Sequence, residues 1–291
     1  MGLLVAALMA FAPAASGFDP QAEAQNYGKG NERSAIYSTP GYQLLLRQVS
    51  VQNRAAAMAM QAADPERNYL AQLCATGEDG CAGDVRLYDW QAKGYGMVQK
   101  VLFTARDGAT LSGHVWATKA GPAKRPGIVI TNGSVQAPEQ VYWFVAQTLA
   151  KHGYVVMTWD PQNQGQSDSQ GEAPDQNEGF PAQSDGRPFF DGTEDALNFF
   201  FSTPDHPYVP ETSCSTGTSH AAKQARRAKA GLDAAYNPYW SLLNGRLGLA
   251  GHSYGAAGVS YIGQWDPRVD AIVAWDNLSQ PSPGTAGMSF P

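Results

Sequence analysis

Four short apolar runs mark the second half of the chain: Ile128-Val129-Ile130, Val155-Val156-Met157, Leu247-Gly248-Leu249-Ala250 and Ala271-Ile272-Val273-Ala274. Each is continuous rather than alternating, the pattern of strands covered on both faces, as in a parallel sheet. Between the first two, Val141, Phe144, Val145 and Leu149 recur at helical spacing and Gly153 stands where a helix stops, so 139–152 is expected to be a helix. Residues 195–201 and 255–264 predict two more. Strand and helix in alternation build right-handed crossovers and a sheet with helices on both sides. Upstream, 98–104 and 110–118 flank Arg106-Asp107-Gly108, and Asp-Gly tolerates the positive φ of a tight turn, which predicts a hairpin.

The first third has a different texture. Residues 42–73 are rich in Ala, Leu, Met, Gln and Arg with Pro65 as the main breaker, a helical composition. Residues 2–11 form an apolar run that ends in small residues at 12–16, the pattern of a secretory leader with an A-x-A type cleavage site and too short for a bilayer span. The plainer alternative is a buried helix end. No Lys or Arg precedes Lys29, so the usual positive n-region is missing. The expected organisation is a signal peptide at 1–16, a helical extension at 17–96 and an α/β core at 97–291 with an insertion at about 170–244. Within the insertion, Lys223, Arg226, Arg227 and Lys229 are expected to form a solvated helix face.

Composition narrows the class. With 43% apolar and 16% charged residues in 291, the chain is ordinary globular protein, which excludes collagen-like, low-complexity and wholly disordered classes. A net charge of −6, with no obvious extended Lys/Arg-dense face beyond that short run, argues against a nucleic-acid partner. Cys74 and Cys81 bracket a turn-rich segment, and in an exported protein a disulfide there is expected, contributing about 2–3 kcal/mol through loop closure. Cys214 is left over. No H-E-x-x-H, paired C-x-x-C, Walker loop or EF-hand spacing occurs, so nothing in the sequence calls for a metal or cofactor.

The candidate chemistry lies in Gly251-His252-Ser253-Tyr254-Gly255, which follows a buried run and opens a helix of small residues. A serine on so sharp a turn projects its hydroxyl clear of the sheet, and the positions two before and two after crowd together and must lack side chains. Gly251 and Gly255 meet that demand. Ser253 is therefore the expected nucleophile, with the Tyr254 amide at the helix start as one oxyanion donor. A second donor is expected from the loop after the 128–130 run, Thr131-Asn132-Gly133-Ser134, through the Ser134 amide.

From about residue 97 onward these features resemble the α/β-hydrolase superfamily. The segment Asp160-Pro161-Gln162-Asn163-Gln164-Gly165-Gln166-Ser167 is similar to the D-x-x-x-x-G-x-S loop that commonly follows the fourth strand there. The resemblance covers about two thirds of the chain and not the helical extension. It implies a three-layer α/β fold around a mostly parallel sheet and acyl transfer through a Ser-His-Asp/Glu triad; serine rather than aspartate at 253 disfavours a haloalkane dehalogenase. The pattern breaks at the base. In the family the histidine follows the last strand, whereas the residues after Ser253 include Asp266, Asp270 and Asp276 but no histidine. Of the five histidines, His252 adjoins the nucleophile and should diverge from it, His114 and His152 suit structural roles, and His206 and His220 fall in the insertion. The expectation is a chain that lacks the family's last strands, its catalytic histidine lying in the missing C-terminal segment. Asp276 is a candidate acid or a loop cap, and Tyr142 and Trp143 are expected to line an acyl pocket, with core packing the alternative for Trp143. The function expected is a secreted, lipase-like serine carboxylesterase acting on a small-molecule, lipid or polymer ester, without a membrane span. The alternative is a non-catalytic secreted binding protein that keeps the fold.

Overall fold

The computed structural model describes residues 39–64, 66–67, 90, 94–134, 138–171 and 187–276, together with Gln21, Ala24, Gln25 and Gly28. The expected leader and the Cys74–Cys81 pair lie outside the described residues. The chain divides into two units, 1–45 and 46–291. Helix α1, Pro40–Ala63, opens with proline in its first turn, and Thr39 accepts the Tyr42 amide through Oγ1 at 3.3 Å. It ends at Ala63, since Pro65 disfavours helical backbone at Asp64, and the expected stretch from 68 to Leu73 lies outside the described residues.

The apolar runs form the predicted sheet. Six strands are described: β1 Gly96–Thr104, β2 Thr110–Thr118, β3 Arg125–Thr131, β4 Val155–Asp160, β5 Leu243–His252 and β6 Ala271–Trp275, in the order β1-β2-β4-β3-β5-β6. β2 runs antiparallel to β1 and β4, and β4, β3, β5 and β6 are parallel. All six residues of β4 are buried, as continuous apolarity requires in a strand covered on both faces. The β1–β2 hairpin turns at Gly108 with φ +88°, and Asp107 Oδ1 accepts the Ala109 amide at 2.9 Å.

Helices cover both faces. A 3₁₀ turn at Glu139–Tyr142 leads into α2, Trp143–Lys151, which packs with Trp90, Trp116, Ile130 and Val156 on one side. On the other side α3, Arg187–Phe201, and α5, Tyr254–Ile262, enclose Phe103, Trp159, Leu247 and Leu249. Phe103 stacks on Phe199 with centroids 4.7 Å apart. α3 begins eight residues before the expected 195. Pro188 suits its first turn, and Gly192 sits where a Cβ would come within 2.9 Å of the Trp159 ring, so the glycine is a packing device rather than a breaker.

The basic helix α4, Ala221–Lys229, corrects one expectation. Arg226 and Lys229 are exposed, but the Arg227 side chain is fully buried, with Nη2 2.6 Å from Asp64 Oδ2 and Nε 2.9 Å from Asp233 Oδ1. Consecutive helical residues point about 100° apart, so one run of cations supplies both a wet face and a core anchor. Arg67 makes a second buried pair with Asp168 at 2.6 Å. No helix among the described residues is long and apolar enough to cross a membrane.

Candidate active site

β5 ends at the carboxyl edge of the sheet and turns through Ser253 into α5. Ser253 has φ 53° and ψ −120°, a strained conformation for a residue with a side chain, and its amide donates to Trp275 O at 3.0 Å. Added Cβ atoms on Gly251 and Gly255 would collide with backbone, the first with Gly255 O and the second with Asn132 O. The turn therefore exists only because both positions lack side chains. Among the described residues none hydrogen-bonds to Ser253 Oγ, which leaves it free to approach an electrophile.

The loop after β3 closes over this serine. A Cβ placed on Gly133 would stand 3.2 Å from Ser253 Cβ and 2.9 Å from His252 Nδ1. The Gly133 amide donates to Tyr142 Oη at 3.1 Å, and that oxygen lies 2.8 Å from His252 Nδ1. Ser134 follows on the same loop, and Tyr254 is the first residue of α5, whose opening amides lack intrahelical partners. The structure thus brings together Ser253, Ser134 and Tyr254 at one edge. The fold is that of an α/β-hydrolase.

Behind the loop lies a polar network that the sequence reading did not find. Asp160, fully buried at the end of β4, accepts from the Glu139 amide at 2.7 Å, Asn132 Nδ2 at 3.2 Å and the Gln166 amide at 3.0 Å. Burial, with the Glu139 carboxyl beside it, pushes its own carboxyl well above the ordinary range. Glu139 bonds His114 Nδ1 at 2.7 Å and Thr158 Oγ1 at 2.6 Å. Lys100, across the hairpin from His114, donates to Gln166 Oε1 at 2.5 Å, and burial lowers its pKa to about 8. The D-x-x-x-x-G-x-S segment was the available signal: Gly165, at φ 48°, sits against the Asp160 carboxylate, and Ser167 Oγ donates to Asp160 O.

Asp276 follows β6 at the same edge, one residue beyond the carbonyl that accepts the Ser253 amide. It is exposed, with φ 80°, and among the described residues none hydrogen-bonds its carboxylate. No histidine occupies the place of a base. His114 is held by Glu139 and packed against Trp143 with centroids 5.1 Å apart, which also makes Trp143 a core residue rather than a pocket wall. His152 caps the end of α2, bonding Thr148 O. His206 is exposed in the turn after α3. His220 is buried beneath the hairpin, where Nδ1 donates to Arg106 O at 2.7 Å.

No family model and no curated protein sequence matches the chain. Solved structures do. An α/β hydrolase from Penicillium sp. sh18 is 19% identical over 60% of this chain and 44% of its own, with a TM-score of 0.39. An acetyl xylan esterase from Paenibacillus sp. R4 is 16% identical over 62% and 49%, TM-score 0.39. An esterase from Pyrococcus furiosus is 18% identical over 61% and 50%, TM-score 0.34. The chain spans about half the length of these structures.

Proposed function

We propose that the chain is the nucleophile-bearing part of a secreted serine hydrolase that cleaves carboxylic esters. The observation that carries this is Ser253, held at positive φ between two obligatory glycines with an unoccupied hydroxyl and a loop closing above it. Ser253 attacks the ester carbonyl, and the amides of Ser134 and Tyr254 take the oxyanion, an interaction of a kind worth a few kcal/mol. The base is a histidine from outside the five of this chain, and Asp276 is the candidate acid that orients it. Without that base the serine stays weakly nucleophilic, so this chain should turn over p-nitrophenyl acetate slowly or not at all. The lack of any histidine after Ser253 also favours a second reading, a secreted binding protein that keeps the fold without the reaction.

Fluorophosphonate labelling of the longest natural form of the protein, where the base would be present, followed by peptide mapping, separates the two. The hydrolase reading expects label on Ser253 and none in Ser253→Ala. Equal labelling of both proteins overturns it.

A further inference from the structure

We infer that Tyr142 and His252 form a strut that fixes the oxyanion loop above Ser253, which makes them positioning residues for the proposed reaction; the inference deepens that reading and rests on it. Three separate parts of the chain meet here. Gly133 comes from the loop after β3, Tyr142 from the 3₁₀ turn and His252 from the end of β5. The Tyr142 hydroxyl, buried with its ring, receives the Gly133 amide at 3.1 Å and stands 2.8 Å from His252 Nδ1. A phenol has one proton to give. With the amide donating to its oxygen, that proton is assigned to His252 Nδ1, which makes His252 the Nε2–H tautomer that the test below reads.

The strut acts on the loop at the point where the loop has no slack. A side chain on Gly133 would press on both His252 and Ser253. One residue earlier, Asn132 is tied to Asp160, which also holds the start of the 3₁₀ turn through the Glu139 amide. The loop is thus pinned at two successive residues, and both pins depend on the same turn. Because the Gly133 amide is committed to Tyr142, Ser134 is the next loop amide left to face a substrate oxygen. His252, which cannot reach round the elbow as a base, instead sets the height of the oxyanion loop. Oxyanion donors act through preorganisation, so a loop free to drift by a fraction of an ångström loses transition-state stabilisation before it loses binding.

The test uses the longest natural form of the protein, which would carry the base that labelling requires. The rate of Ser253 labelling is measured against fluorophosphonate concentration to split probe affinity from bond formation, alongside amide exchange at Gly133 and ring-nitrogen shifts of His252. Tyr142→Phe should slow bond formation about tenfold with affinity unchanged, and speed Gly133 exchange by a similar factor, the scale of one neutral hydrogen bond. His252→Gln keeps an acceptor for the phenol and should recover most of the rate, whereas His252→Leu should not. Should Tyr142→Phe fail to fold, the two His252 variants decide. Labelling of Tyr142→Phe within twofold of the parent, with Gly133 exchange unchanged, overturns the strut. If the parent takes no label, the hydrolase reading fails by itself, and Gly133 exchange with the His252 tautomer decides the strut: faster exchange in Tyr142→Phe and an unprotonated Nδ1 in the parent uphold it, and their absence overturns it.

Discussion

The elbow and the flank formed by the hairpin and α4 are built by opposite means. At the elbow the shape comes from what is missing: Gly251, Gly255 and Gly133 let backbone approach backbone, and few side chains take part. At the flank it comes from buried charge. Arg227 binds Asp64 and Asp233, Arg67 binds Asp168, and Arg106 lies among Asp191, Glu194, Asp195 and Glu211. That last cluster borders a cavity of about 220 Å³ between α3 and α5, to which neither Ser253 nor Ser134 contributes. The contrast separates function from anchorage. Under the proposed function Ser253 needs an unobstructed hydroxyl and fixed dipoles, whereas Asp64 and Arg67 are tied to the core by charge.

Substitutions can break or sharpen this contrast. The largest effect is expected from Arg227→Ala, which leaves Asp64 and Asp233 buried without their cation and should cost about 3–5 kcal/mol in denaturant unfolding. A loss below about 1 kcal/mol would remove the flank's role as anchor.

Next is Asp191→Asn. Burial pushes the Asp191 pKa up to about 6 from 3.8, with Asp195 and Glu194 adding to the rise against Arg106. The folded chain therefore holds a proton that the unfolded chain releases, and stability falls as pH rises from about 4 to about 6. The variant should lose that slope and gain roughly 1–3 kcal/mol at pH 7, read from chemical melts at several pH values. Gly133→Ala should show the reverse balance. Unfolding free energy should drop by only about 1 kcal/mol while Ser253 labelling slows at least about tenfold, since the loop must lift off His252 and Ser253. Equal loss in both would erase the distinction between the two regions. Smallest is Arg226→Ala, whose pair with Glu66 is 60% and 36% exposed, and a change within about 0.5 kcal/mol is expected.

The same contrast explains what could be read from the sequence. The elbow motif is five consecutive residues whose steric demand is local, and β3 to β6 announce themselves as apolar runs, so both were legible. Arg227 was not. Its partner Asp64 lies 163 residues away, and nothing in a run of cations says which of them turns inward. Tyr142 and His252 are 110 residues apart, so an aromatic beside a loop looked like a pocket wall rather than a strut. The early turns of α3 were obscured by Pro188 and Gly192, whose usual meaning as breakers yields here to the Trp159 ring.

The strand order also bears on how the chain acquires its site. Ile130 pairs with Thr158 on one side and with Ala250 on the other, and the second closure spans more than four times as much chain. Closing the longer loop costs about 1 kcal/mol more in entropy and is slower. During folding, β3 and β4 can join while the elbow has no partner, and the oxyanion loop is held only when β5 delivers His252 beside Tyr142. Any partly folded form that stops before that pairing carries Ser253 without its surroundings, so under the proposed function labelling of this serine should report the completion of the central sheet.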